Sequence, residues 1–211
     1  MMPGREILAL SVAWVVLGVS FSMRWMYAGL SRPVAFLEIF LLTLLIIGTG
    51  FLGHELAHKF TAQRYGAWAE FRLWTVGAIM SLVFSAVSGG TFIFAAPGAV
   101  YIASRSSYIG DVMDRKTNGI ISLVGPLINV AAAAVSGLVF IALSAAGIGT
   151  TINGFHPLFW AIQINLWLGA FNMIPFFILD GQKVLTWDKS LWALITIPLW
   201  IATALVILLL P

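Results

Sequence analysis

Apolar stretches long enough to cross a bilayer, separated by short polar loops, constrain this chain more than any other feature. A hydrocarbon core of about 30 Å takes roughly 20 helical residues. Such runs recur at Ile7 to Met23, Phe36 to about Phe60, Gly119 to Ile148, His156 to Leu179 and Leu191 to Leu210. Composition agrees: 61% of the 211 residues are hydrophobic, 9% are charged and the mean hydropathy is +1.01, whereas an ordinary soluble domain is roughly 25% charged. We therefore expect an all-α polytopic membrane protein, one domain over residues 1–211, with about five transmembrane helices and no appended soluble domain. Arg5 and Glu6 precede the first run, and Arg24, Trp25 and Tyr27 follow it. These residue types settle at a lipid interface, so that run reads as a retained span rather than a cleaved signal peptide.

The stretch from Leu73 to Ile102 is harder to place. Leu73 to Val87 is apolar, Ser88-Gly89-Gly90-Thr91 breaks it, and Phe92 to Ile102 resumes with an interruption at Pro97-Gly98. Charge decides between a full span and a re-entrant element, because Lys and Arg in short loops favour the cytoplasmic side. If the stretch re-enters, Arg5, Lys59, Arg64, Arg72, Arg105, Arg115, Lys116, Lys183 and Lys189 share one side, against Arg24 and Arg32 on the other. If it crosses, the five from Arg105 onward change sides and the bias weakens and reverses. The re-entrant arrangement is preferred, and it brings the carboxyl ends of the second run and of the His156 to Leu179 run to the same, cytoplasmic, side.

With no cysteine in the chain, disulfides and thiolate metal sites are excluded, and a metal must use histidine and carboxylate. The formal charge of +3 is too small and too scattered for a nucleic-acid surface. His54-Glu55-Leu56-Ala57-His58 matches H-E-x-x-H, in which two histidines four apart share a helical face and can bind zinc, with the intervening Glu beside the metal-bound water. Zinc lowers the pKa of that water toward about 7, and the carboxylate takes its proton as it attacks a peptide carbonyl. The pattern alone arises by chance in roughly one chain of this size in several hundred. Here it holds two of the three histidines inside an apolar helix, where ionisable groups are expensive and usually functional.

A zinc with one position open for water needs a third protein ligand. His156 begins its run at the far side of the membrane, Glu38 lies near the outer end of the second run, and Asp111 and Asp114 sit in a solvated loop. Asp180 ends its run on the correct side at the depth of His54 and His58, and Gly181 lets the backbone turn directly after it. It is the preferred third ligand, with a simple Asp-Gly helix terminator as the alternative.

The chain resembles the site-2 protease family of intramembrane metalloproteases. The pentapeptide at His54, together with Asn172-Met173-Ile174-Pro175-Phe176-Phe177-Ile178-Leu179-Asp180-Gly181, is similar to that family's H-E-x-x-H and N-x-x-P-x-x-x-x-D-G motifs. Gly125-Pro126-Leu127-Ile128-Asn129 is similar to its G-P-x-x-N segment, and Ala96-Pro97-Gly98-Ala99-Val100 looks like its membrane-embedded β element. Two departures stand out: Ile178 where many members have proline, and Gln182 where a second glycine is common. The resemblance implies one Zn2+ per chain on His54, His58 and Asp180, with Glu55 as general base. It also implies that Asn129 faces the site, donating to a substrate carbonyl or oxyanion; a polar tie between helices is the alternative. Asn172 reads as structural, partnering a carbonyl that Pro175 leaves free. The implied partners are a transmembrane protein substrate and the lipid bilayer, in a multi-pass cell-membrane protein whose site lies near the cytoplasmic face. Nothing in the sequence fixes the oligomeric state. A metal transporter or a proteolytically silent relative could use the same ligands, but a transporter needs polar stepping-stones through the full thickness, and the outer half of the runs offers almost none besides Glu38.

Overall fold

The computed structural model describes residues 2–29, 32–103, 113–152 and 154–209, so Arg105, Asp111 and the terminal Leu210 lie outside the described residues. Helix α1 spans Gly4–Gly29. Helix α2 (Pro33–Ile47) starts on a proline, whose fixed φ and missing donor suit a first helical turn. It continues through a π-helical turn at Gly48–Leu52 into α3 (Gly53–Arg64), making one apolar helical segment of 32 residues. Strand β1 (Trp68–Leu73), helix α4 (Thr75–Val87) and strand β2 (Gly98–Ala103) follow. Then come α5 (Arg115–Ala145), α6 (Pro157–Asn172), α7 (Asp180–Trp187) and α8 (Lys189–Leu209). Two aspartates define helix starts: Asp114 Oδ1 accepts from the Thr117 amide at 2.9 Å, and Asp188 Oδ1 from the Ser190 and Leu191 amides, each at 2.9 Å.

Among the described residues, four helical segments are long and apolar enough to span a bilayer: Gly4–Met26, Pro33–Arg64, Arg115–Ala145 and Lys189–Leu209. The fifth expected span is different. Only 16 residues of it are helical, in α6, giving a length of about 24 Å. The rest, Met173 to Leu179, is an irregular loop, because Pro175 cannot donate to a helix and disfavours helical backbone in the residue before it. Helix α6 packs against α2, α5 and α8 and buries Trp160, Ile164, Leu168 and Phe171. Hydropathy alone cannot tell such an enclosed helix from a lipid-facing one.

Strands β1 and β2 pair antiparallel, from Trp68 with Ala103 to Leu73 with Gly98. The chain that leaves at Leu73 thus returns beside its own starting point, after an excursion containing a helix of 13 residues, about 20 Å long. Re-entry was expected; the second strand, β1, lies ahead of the stretch to which the β element was assigned. Among the described residues, two of the three buried clusters lie on either side of α6, and a small third one joins Ala62, Ala67, Ala69 and Ile121. Of the two, one gathers Leu17, Ile47, Phe51, Phe71, Ile164 and Leu168, the other Ala133, Leu166, Met173, Val184 and Leu199.

A charged cluster ties α1 to the middle of the molecule. The Glu6 carboxylate, 1% exposed, takes both oxygens to Lys59 Nζ at 2.5 Å and accepts the Phe71 amide of β1 at 3.0 Å. Beside it, Arg5 Nε donates to Glu70 at 2.7 Å. In the sequence these lysines and arginines serve only as orientation signals. Lys59 also joins the helix carrying the two histidines to α1 and to the sheet.

Candidate metal centre

Helix α3 presents His54, Glu55 and His58, all buried, in its first two turns. Asp180 arrives from the loop after α6 as the first residue of α7 and is also buried. Its Oδ2 lies 3.2 Å from His54 Nε2 and 3.0 Å from His58 Nε2, and the two Nε2 atoms are 2.9 Å apart. One ligand atom from each of the three residues lies within 4.8 Å of the others. His156 is at the opposite end of α6, beside Thr151 and Phe159. Glu38 is exposed near the start of α2, 16 residues or about 24 Å of helix from His54.

Residues 67–193 match the family model of Peptidase family M50. Over 197 residues the chain is also 39% identical to the Methanocaldococcus jannaschii protein named "Putative zinc metalloprotease MJ0611", covering 92% of this chain and 91% of that one. The chain belongs to the M50, or site-2 protease, family. No solved structure matches it. The matched M50 region carries Asn129, Asp180 and both strands, and the histidine pair stands just ahead of it.

Hydrogen bonding shows that this M50 centre suits a cation. His58 Nδ1 lies 2.7 Å from the Ile121 carbonyl, which can only accept, so the proton is on Nδ1 and the Nε2 lone pair points inward. His54 Nδ1 lies 2.7 Å from Asn129 Oδ1 and is protonated in the same way. With both imidazoles neutral, as metal ligation requires, three acceptors, two Nε2 and one carboxylate oxygen, converge with no proton among them. A divalent cation resolves that repulsion, and two histidines with one carboxylate is a zinc donor set. Gly125 of α5 crosses directly over both imidazoles; a Cβ there would overlap the Nε2 atoms of His54 and His58.

For Asn129 the sequence leaves two roles open, a donor to substrate and a tie between helices. It is wholly buried behind His54, its Oδ1 on the His54 ring and its Nδ2 on the Gly50 carbonyl at 3.1 Å and on Asn165 Oδ1 at 3.2 Å. Both amide hydrogens are thereby engaged, and Asn129 is not among the residues that line the cleft. Asn172 donates to the Leu168 carbonyl at 2.9 Å, one turn back on α6, rather than to a carbonyl freed by Pro175. It also lines the cleft.

The cleft in front of His54, His58 and Asp180 is small, about 30 Å³. Glu55, Val100, Ile102, Asn172, Leu179 and Lys183 are among its walls. Glu55 Oε2 is buried and takes no hydrogen bond among the described residues. Lys183 Nζ lies 3.5 Å from Asp180 Oδ1, the oxygen turned away from the histidines.

Strand register fixes which backbone groups face this cleft. Phe71 and Val100 are directly opposed, and the Phe71 amide points away from β2 to reach Glu6. They therefore form a non-hydrogen-bonded pair, in which the N–H and C=O of both residues point outward. Those of Val100 thus face away from β1, and by alternation so do those of Gly98 and Ile102; all three residues line the cleft. Sequence reasoning missed Asn165 and Lys183. The signal for Asn165 was present, one of three side-chain amides, with Gln163 and Asn172, in the otherwise apolar α6.

Proposed function

We propose that the protein is an intramembrane zinc metalloprotease that hydrolyses a peptide bond in or near a transmembrane segment of a membrane-protein substrate, as in regulated intramembrane proteolysis. His54, His58 and Asp180 hold one zinc per chain, and Glu55 is the general base. Membership of M50 and the name of the archaeal relative support the metalloprotease reading. The observation that carries it is the juxtaposition of three converging acceptors, a buried unpartnered carboxylate oxygen on Glu55 and an open strand edge in one cleft.

A bound zinc supplies Lewis acidity and brings the pKa of a coordinated water to about 7. Glu55 takes the proton of the attacking water through its free oxygen and returns it to the leaving amine. A helical peptide bond is shielded by its own hydrogen bonds, so the substrate unwinds first, and Gly98, Val100 and Ile102 offer the backbone partners its extended segment requires. Lys183 and Asn172 add polar groups on the other wall. The excess of Lys and Arg on one side puts the cleft near the cytoplasmic face, where water is available.

The test is a reconstitution with a transmembrane substrate in zinc-loaded vesicles. Wild-type protein cleaves it, and Glu55→Gln binds zinc but does not cleave. Cleavage by Glu55→Gln at the wild-type rate sinks the assigned base, and zinc flux across the vesicle without cleavage replaces the protease by a transporter.

A further inference from the structure

Asn165 belongs to no motif, yet it is 1% exposed and sits on the far side of Asn129 from the metal residues. We propose that Asn165 is a positioning residue for zinc binding: it fixes the amide of Asn129, which in turn holds His54 in the tautomer and ring orientation that a metal requires. The inference rests on the assignment of His54 as a zinc ligand.

Two backbone carbonyls, which can only accept, set the direction of the relay. Asn165 Nδ2 donates to the Ala161 carbonyl one turn back on α6, at 2.9 Å, which obliges Oδ1 to face Asn129. Asn129 must then present Nδ2 to Asn165, and the same Nδ2 donates to the Gly50 carbonyl at 3.1 Å. Its Oδ1 is left for His54, which can meet it only with Nδ1–H. That leaves the Nε2 lone pair pointing at His58 and Asp180. No amide in this relay can flip without setting oxygen against oxygen, so the orientation of His54 is determined from α6, two residues removed.

The π-helical turn belongs to the same device. Gly50 lies within it, and a Cβ there would come within 2.8 Å of Asn165 Oδ1. Helix α2 thus approaches α6 closely enough for its carbonyl to hold Asn129 only because residue 50 has no side chain. π-Turns recur at functional sites for this kind of local re-aiming. His58 needs no such relay, since the Ile121 carbonyl holds it directly.

The experiment compares wild type, Asn165→Leu and Asn165→Asp. Asn165→Leu keeps the shape and removes the acceptor; the carboxylic acid of Asn165→Asp keeps one acceptor and one donor. Two quantities are read: the His54 tautomer in zinc-free protein, by nitrogen NMR of ¹⁵N-histidine, and zinc affinity by chelator competition. In wild type and Asn165→Asp, His54 carries its proton on Nδ1; in Asn165→Leu both tautomers are populated. Zinc binds Asn165→Leu roughly 10- to 100-fold more weakly, the usual consequence of losing a partner behind a histidine ligand. Wild-type tautomer and affinity in Asn165→Leu, or equal weakening by both variants, overturns the proposal. If Asn165→Leu does not fold, Gly50→Ala takes its place with the same two expectations and the same overturning result. A wild-type protein that binds no zinc defeats the proposed function, while the tautomer comparison still decides the role of Asn165.

Discussion

The two edges of the small sheet face opposite requirements. On the β1 edge, the Phe71 amide is closed off by Glu6, which is itself neutralised by Lys59, with Arg5 and Glu70 paired alongside. On the β2 edge, the backbone groups of Gly98, Val100 and Ile102 look into the cleft, opposite Glu55 and the metal residues. An unpaired strand edge is a template for another strand, and proteins normally cover it. Here one edge is covered with two buried charges and the other is left next to the reactive groups. The contrast separates scaffold from site within a sheet of only two strands.

Breaking the closed edge has the largest expected effect. Glu6→Ala strands the Lys59 ammonium in a buried position and frees the Phe71 amide, a loss of about 3–5 kcal/mol by the usual cost of an uncompensated buried charge. Unfolding in mixed micelles measures it. The double variant Glu6→Leu with Lys59→Met recovers much of the loss, because replacing both partners of a buried pair by apolar groups is often near neutral. No recovery would mean that the acceptor for Phe71, and not the charge pair, holds the edge.

The open edge yields a smaller and different effect. Ile102→Pro removes one outward donor while leaving the pairing with β1 intact, so cleavage falls about ten-fold, the worth of one hydrogen bond, with stability almost unchanged. Ala99→Pro is the control. Its amide faces β1, so this substitution disrupts the sheet itself. Equal activities for Ile102→Pro and wild type would remove β2 from substrate binding.

Much of the site was legible before any fold was known, for physical reasons. Ionisable residues inside apolar runs are rare enough to mark His54, Glu55 and His58, and counting Lys and Arg brought Asp180 to their side. The structure brings those four residues into one cleft. What hydropathy could not see was the difference between crossing a membrane and being buried by neighbouring helices; α6 has the composition of a span and the length of a core helix. For Asn129 the motif left a substrate contact and a tie between helices as alternatives, because the sequence does not say which face of α5 meets α6. Glu6 and Lys59 looked like flanking charges, since their pairing joins residues 53 positions apart.

Asp180, the proposed third ligand, joins the histidine helix to the start of α7, 122 residues beyond His58. Zinc content of wild-type and Asp180→Ala protein, after equilibration with a zinc buffer and measured by native mass spectrometry, addresses it directly. One zinc per wild-type chain and none on Asp180→Ala under the same conditions is the predicted result. Full zinc occupancy of Asp180→Ala with unchanged affinity would contradict it.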